Sequence, residues 1–388
     1  MYHLRRLSAL VLSLAIAPLL FLPTPAAAAN EDSMPLVLSS ASALLMEKET
    51  GTVLLQQNAH QKLEPASVTK IMTLLLVMEA VDSGRLSLDE LVPVSAHAAG
   101  MGGSQVYLKE GEQLSVSDLI KCVAVVSGND CAVALAERLA GSESAFVDQM
   151  NQKAQSLGMA DTHFVNCTGL PAPGHLTSAW DIALMSRELI LRHPDIQQYT
   201  TIWTDSIRNG AFGLTNTNRL VRFYDGATGL KTGFTASAQY CMSATAQRNG
   251  MELIAVVMKA PTTAQRFQDA SSLLDYGFAN YALITPQPES PLAPVDVLLG
   301  RSKTVQPQLQ RECHLLVEKT QADQVTTRVD LAQDVQAPVD PGQTLGEFQV
   351  YVGNELRDSV PIVAAQGVDR LSVPGLFSQL LRRLLFAG

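Results

Sequence analysis

The stretch "EPASVTKIMTLLLVMEAVDSG", residues 64–84, decides how the first half of the chain is read. Pro65 stands where a helix can begin, since its fixed φ suits a first turn and its missing N–H loses nothing there. Asp82, Ser83 and Gly84 supply the exit. Between them Val68, Ile71, Met72, Leu74, Leu75, Leu76, Val77, Met78, Ala80 and Val81 leave almost no polar face. A helix that is apolar nearly all round is a buried helix. Its first turn nevertheless carries Lys70, one turn after Ser67, and positions three apart share a helix face. Burial disfavours an unpaired ammonium and favours the neutral amine. A neutral amine beside a serine hydroxyl is a base beside a nucleophile.

Outside this helix, composition sets the bounds. The chain has 388 residues and 47% hydrophobic content, enough for two domains or one large one with an ample core. Residues 1–29 have the layout of a cleaved signal peptide. Arg5 and Arg6 form a basic start, residues 7–22 are apolar, and Ala26 to Ala29 offer small-residue cleavage sites. The protein is therefore expected to be exported. Removing that segment leaves 26 basic residues against 37 acidic ones, a formal charge of −11. An acidic chain without a basic run argues against nucleic acid as a partner. Cys122, Cys131, Cys167, Cys241 and Cys313 are odd in number and lack metal-type spacing, so buried thiols with at most one bridge are expected. The scattered histidines form no ligand motif, and no metal or cofactor is expected.

Period and turn signals organise the rest. "ALLMEKETGTVLLQQNAHQKL" alternates around Glu49-Thr50-Gly51 as a β-hairpin. Residues 85–200 read as mostly helical. Ser115 with Asp118 opens "VSDLIKCVAVV", Gly141 stops "DCAVALAERLAG", "SAFVDQMNQKAQSLG" follows, and Ser178 with Asp181 opens "AWDIALMSRELILRH". "AQYCMSATAQRNGMELIAVVMKA" is two strands around Asn249-Gly250, and "TTAQRFQDASSLLDYGFANY" returns to a helix. Strands near both ends of residues 30–284, with helices between, predict an α/β domain whose sheet joins N-terminal and C-terminal strands. From 285 to 368 a proline-rich linker, "TPQPESPLAP", leads into short alternating strands that predict a small β-sandwich-like domain. Residues 369–388 contain Leu376, Phe377, Leu380, Leu381, Leu384 and Leu385 at amphipathic spacing, with Arg382 and Arg383 off the stripe. The run is too short to span a bilayer and suits lying in its interface, so a membrane surface is expected to contact the region Leu376–Phe386.

Two further stretches bear on Ser67 and Lys70. "VVSGNDCA" places Ser127, Gly128 and Asn129 between two helices, where the plainest reading is a helix break with Asn129 capping the next helix. "GATGLKTGFTASAQY" has Lys231, Thr232 and Gly233 opening an otherwise apolar or small strand. Each signal is weak alone. Ser-x-x-Lys, Ser-x-Asn and Lys-Thr-Gly in this order, on helix, helical turn and strand, are together the motif set of the penicillin-recognising serine acyl transferases.

The chain resembles the serine-type D-alanyl-D-alanine carboxypeptidases, the low-molecular-weight penicillin-binding proteins. The likeness extends over "GSQVYLKEGEQLSVSDLI", "THFVNCTGL", "GHLTSAWDIALMSREL", "TNTNRLV", "GATGLKTGFT" and "RNGMELIAVVMKAP". Phe234 after Lys-Thr-Gly is similar to the Gram-positive, spore-former branch. The resemblance implies a β-lactamase/transpeptidase-like catalytic domain and a substrate that is a peptidoglycan stem peptide ending in D-Ala-D-Ala. It also implies a set of roles. Ser67 is the nucleophile, Lys70 the general base, and Ser127 a proton relay. Asn129 would bind the substrate amide, and Lys231 and Thr232 its terminal carboxylate. Gly233 would allow close approach, and the backbone N–H groups of Ser67 and Phe234 would form the oxyanion hole. β-Lactams would be covalent inhibitors, and the protein would work at the outer face of the cytoplasmic membrane. A class A β-lactamase shares the motifs, but no Glu-x-x-Leu-Asn stretch lies between Asn129 and Lys231, and such an enzyme has no use for residues 294–388. A non-catalytic wall-binding or sensor protein of the same fold would need no nucleophile and base together.

Overall fold

A computed structural model describes residues 35–372 together with Pro374, Gly375, Phe377 and Leu385. The expected signal peptide, residues 1–29, lies outside the described residues, as does most of the helix expected at 369–388.

The first half of the expected sheet is the hairpin Ser42–Glu47 and Val53–Gln57; the other half is the strands Ala227–Thr235, Gln239–Arg248 and Met251–Ala260. They form one five-stranded sheet in which Ser42–Glu47 pairs with Met251–Ala260, all neighbours being antiparallel. Asn249 and Gly250 both adopt positive φ, the backbone that a two-residue hairpin turn between twisted strands requires. Both faces of the Met251–Ala260 strand are covered. Leu253, Ala255 and Val257 meet one core with Leu273, Leu274 and Phe278 of the helix Thr263–Asn280; Ile254, Val256 and Met258 meet the other, larger core on the helical side. The period of two in side-chain direction is thus used twice over.

The helix of residues 64–84 is observed as Lys70–Asp82, preceded by a tight 3₁₀ turn at Ala66–Thr69. Lys70 through Met78 and Ala80 are buried, as the apolar run predicts. The 3₁₀ turn departs from the single α-helix expected, and it matters. With three residues per turn, side chains at i and i+3 eclipse, which sets Ser67 over Lys70 more squarely than an α-turn would. The expected caps are present: Ser115 Oγ accepts from the Asp118 amide at 3.1 Å and Ser178 Oγ from the Asp181 amide at 3.2 Å. Gly141 ends its helix in the left-handed conformation.

Two local expectations are corrected. Asn129 does not cap. It is the first helical residue of Asn129–Ala140, the capping position is Gly128, and the Asn129 side chain donates instead to the Gly102 carbonyl at 2.6 Å. Lys231 does not open its strand, which begins four residues earlier at Ala227. The small residues Ala227, Thr228 and Gly229 hide that start from a periodicity reading.

Beyond the helix Thr263–Asn280 the strand Tyr281–Ile284 follows directly and pairs antiparallel with Leu315–Glu318, ahead of the proline-rich linker. The remaining strands form a four-stranded sheet, in the order Pro307–Leu309, Glu355–Ala364, Thr344–Val352, Val325–Leu331, and a three-stranded sheet centred on Val295–Leu298. Arg370 still bridges to Gly300. All five cysteines are free and buried.

One buried carboxylate fixes the loop that follows residue 104. Asp130 Oδ2 accepts from the Val106 amide at 3.0 Å and from the Leu108 amide at 3.1 Å, while its Oδ1 accepts from the Cys131 amide at 2.9 Å. Asp130→Ala leaves both loop amides buried without an acceptor, and each such orphan costs about 1–3 kcal/mol. Urea unfolding of this variant should therefore show a loss of about 2 kcal/mol or more. A loss under about 0.5 kcal/mol would mean that the loop is held by something else.

Candidate active site

Ser67, Lys70, Ser127, Asn129, Lys231, Thr232, Gly233 and Phe234 come from three separate parts of the chain, and the elements that carry them pack on one another. The 3₁₀ turn presents Ser67, half-buried, with its Oγ 3.1 Å from Lys70 Nζ. Lys70 Nζ also donates to the Thr168 carbonyl at 2.7 Å. The lysine is fully buried at the N-terminal end of its α-helix, where the positive end of the macrodipole also disfavours a cation. Burial is the largest influence and brings its pKa down from 10.5 to about 7. Asp130 partly offsets this. Burial pushes the thiols of Cys131 and Cys167 well up, so at neutral pH they are uncharged and offer Lys70 no counter-ion.

The strand Ala227–Thr235 lies against the Ser67 turn. A Cβ on Gly233 would sit 2.9 Å from the Pro65 carbonyl oxygen and 3.0 Å from the backbone nitrogens of Ser67 and Val68. Any side chain there would force strand and turn apart. Lys231 is buried, its Nζ donates to the Thr232 carbonyl at 3.0 Å, and its pKa is driven well down by burial first and then by the charges of Lys70 and Arg266. Thr232 Oγ1 donates to Thr217 Oγ1 at 2.7 Å, which ties the motif to the 215–221 segment. Phe234 is 54% exposed and its ring packs on Tyr240 at 4.5 Å.

Ser127 is buried with φ of 65°, a backbone strain uncommon outside glycine, asparagine and aspartate. Its Oγ has no hydrogen-bond partner. Among the described residues only three buried side-chain polar atoms lack one: Ser127 Oγ, Asn129 Oδ1 and Arg266 Nε. Native interiors rarely leave such atoms unpaired. Here all three belong to the elements around Ser67 and Lys231.

The sequence reading missed several supporting groups. Arg266 sits in the first helical turn after residue 262, stacks on Tyr240 and Phe267, and reaches the Gly233 carbonyl at 3.3 Å. Its position amid an ordinary amphipathic helix gave no sign of this. The 165–175 segment is strapped to the Ser67 turn and the Lys70 helix through three contacts. Thr69 Oγ1 meets His175 Nε2 at 2.8 Å, Lys70 meets Thr168 O, and Thr73 Oγ1 donates to Cys167 O at 2.7 Å. The Val165 amide donates to His175 Nδ1, so Nε2 carries the proton; burial holds this imidazole neutral, with its pKa lowered to about 4. Asn166 Oδ1 accepts from the Thr168 and Gly169 amides and shapes the loop. A polar loop nearly a hundred residues from its partner carries no local signal of such a role.

Residues 28–262 match the family described as D-alanyl-D-alanine carboxypeptidase, and residues 287–370 match the C-terminal domain of penicillin-binding protein 5. The chain is 37% identical over 369 residues to the D-alanyl-D-alanine carboxypeptidase DacF of Bacillus subtilis, covering 93% of this chain and 95% of that one. In structure it is similar to penicillin-binding protein 5 of Haemophilus influenzae, with a TM-score of 0.74, 29% identity, and coverage of 87% of this chain and 100% of the other. It is also similar to penicillin-binding protein D2 of Listeria monocytogenes in an ampicillin-bound form, with a TM-score of 0.58, 37% identity, and coverage of 63% and 99%.

Burying two lysines has a measurable consequence. Between the folded value of about 7 and the ordinary 10.5, the unfolded chain holds a proton on Lys70 that the folded chain has released. Raising the pH through that window therefore stabilises the fold, and Lys231 acts in the same sense. Above about pH 9 the buried thiols oppose it, because their raised pKa values keep protons on the folded state. Unfolding free energy should rise from about pH 7 to about pH 9, and the rise should be smaller in Lys70→Met. Equal slopes in both proteins would mean that Lys70 is not the group responsible.

Proposed function

The chain belongs to the D-alanyl-D-alanine carboxypeptidase family and is a serine-type D-Ala-D-Ala carboxypeptidase, and on that premise we propose how its residues divide the reaction. The substrate is a peptidoglycan stem peptide ending in D-Ala-D-Ala. Ser67 Oγ attacks the carbonyl carbon between the two terminal D-alanines while Lys70, uncharged through burial, accepts the hydroxyl proton. The C–N bond then breaks, Ser127 relays the proton taken up by Lys70 to the leaving amine, and free D-alanine departs. Water hydrolyses the acyl group from Ser67 and restores the enzyme.

The observation that carries this reading is the 3.1 Å contact between hydroxyl and buried amine, set among three unpartnered polar atoms. A bound peptide would satisfy them: Asn129 Oδ1 suits the substrate amide N–H, and Ser127 Oγ the scissile nitrogen. Lys231, Thr232 and Arg266 lie where a terminal carboxylate would enter. That carboxylate would return to Lys231 the counter-charge that burial denies it. The N–H groups of Ser67 and Phe234 would donate to the developing oxyanion, a stabilisation typically worth about 3–4 kcal/mol per donor. Penicillin presents the same amide in a ring, so its carbonyl acylates Ser67 without releasing a leaving group.

The protein is proposed to act outside the cytoplasmic membrane, exported through residues 1–29 and held at the surface by its last residues. The support is the leucine stripe with Arg382 and Arg383 off it, together with Phe377 and Leu385, which are helical and each 67% exposed. No helix among the described residues is long and apolar enough to cross a membrane.

Three measurements test these readings. The mature protein should release D-alanine from a pentapeptide ending in D-Ala-D-Ala, and labelled penicillin should mark the peptide containing Ser67. Ser67→Ala should abolish both, and an adduct that survives the substitution would move the nucleophile elsewhere. Deleting residues 374–388 should shift active enzyme from the membrane to the soluble fraction with little change on a soluble peptide. A truncated enzyme that still pellets with membranes would show that the anchor lies elsewhere.

A further inference from the structure

Beside the loop that Asp130 holds, the molecule has an open cleft that the reaction as described does not use. It lies between the 106–112 loop and the hairpin Thr204–Ile207 and Phe212–Thr215, and encloses about 650 Å³. One wall is Tyr107, which is 66% exposed and has φ of 59°. A left-handed backbone on a bulky aromatic is a genuine outlier, and such strain is kept where the surroundings over-determine it. Here they do. The amides of Val106 and Leu108, on either side of Tyr107, are both held by Asp130, and the Asn129 amide donates to Ser104 O at 2.7 Å. Tyr107 is thus held out at the surface by Asp130, the residue that follows Asn129.

The other wall is Phe212, whose ring meets Tyr107 edge-on with centroids 6.3 Å apart. Arg208 fastens the two walls together, donating to Val106 O at 2.8 Å and to Glu112 at 2.6 Å, with its guanidinium over Phe212. The lining charges balance. Arg208 is paired with Glu112, and Lys109 stands beside Glu110. A cleft of two aromatic rings with donors, acceptors and no net charge does not select a charged side chain. It suits an uncharged ligand with one apolar face and many hydroxyl or amide groups, which is the chemistry of an N-acetylated sugar. The electron-rich ring face attracts the C–H groups of a pyranose, and the polar rim takes its hydroxyls.

We propose that this cleft is a subsite for the glycan to which the stem peptide is attached, with Tyr107 and Phe212 as the surfaces on which a sugar packs. The proposal rests on the carboxypeptidase reading of Ser67. The connection is short enough: the four stem residues before the cleaved bond span about 14 Å when extended, while the Tyr107 loop is bonded directly to Asp130, the neighbour of Asn129. The subsite makes glycan-bearing stem peptide, rather than free peptide, the preferred substrate, because sugar contacts supply binding energy remote from the reacting carbonyl.

The test is the ratio of kcat/KM for D-alanine release from a disaccharide-linked pentapeptide and from the same pentapeptide without sugar. The full enzyme should favour the glycan-bearing substrate by about tenfold or more. Tyr107→Asn removes the ring while suiting a left-handed backbone, and should bring the ratio to within about twofold of unity; Tyr107→Phe should preserve the preference. In the unaltered enzyme, peptide-free disaccharide should depress turnover of the glycan-bearing substrate more than that of the free peptide. Equal kcat/KM on the two substrates, or a ratio unmoved by Tyr107→Asn, would overturn the subsite and leave the carboxypeptidase reading intact. No release from either substrate would sink that reading and the subsite with it.

Discussion

Everything at this site depends on one unfavourable placement: an amine in the first turn of a helix that has no polar face. Lys70 is surrounded by the core, stands at the positive end of its own helix, and has only Ser67 and a carbonyl for polar company. Water would solvate the ammonium, and the protein instead makes the ammonium expensive. The rest of the site is arranged to keep that state without flooding it. The 165–170 loop covers the amine, neutral His175 holds the loop without adding charge, and the Gly233 strand closes the opposite side. Asp130, the nearest carboxylate, already accepts from three backbone amides, which spreads its charge away from Lys70.

That arrangement also explains which parts were legible in the sequence. Interactions within a few residues were. The apolar run after Pro65, the Ser115 and Ser178 caps and the Asn249-Gly250 turn each follow from spacing and backbone preference, and each is present. The pairing of the two halves of the sheet followed from where the strand signals lie. The failures were of two kinds. A 3₁₀ turn in place of an α-turn at Ala66–Thr69 reflects packing against Gly169, where a Cβ would collide with the Ala66 carbonyl, and no propensity encodes such a contact. Asn129 has the composition of a cap but is recruited by Gly102, and Arg266 has the composition of a helix surface but is drawn under Gly233. Tertiary contacts overrode local preference at these positions, and both residues face the site.

The three motifs therefore mark the chemistry, while the groups that make it work lie between them. Thr168, His175 and Arg266 touch the motif residues or their backbones, and Asn166 and Asp130 shape the loops beside them, all from segments that look unremarkable in isolation. Their contribution is positional: they fix a tautomer, shape a loop or cover a charge. A chain could retain Ser-x-x-Lys, Ser-x-Asn and Lys-Thr-Gly intact and still lose the environment that gives Lys70 a pKa near neutrality.

The helix that begins at Thr263 carries Arg266 in its first turn and runs to Asn280, where the chain passes without a break into the strand Tyr281–Ile284 of the appended β-structure. Eighteen helical residues make a rod of about 27 Å. One end of this rod is buried beneath the Lys-Thr-Gly strand, and the other is hydrogen-bonded into the unit that leads to the C-terminus. The catalytic cleft and the β-structure are thus joined by a strut rather than a tether. Altering the length of the β-structure would therefore change how far the cleft stands from the far end of the molecule without touching a residue of the site.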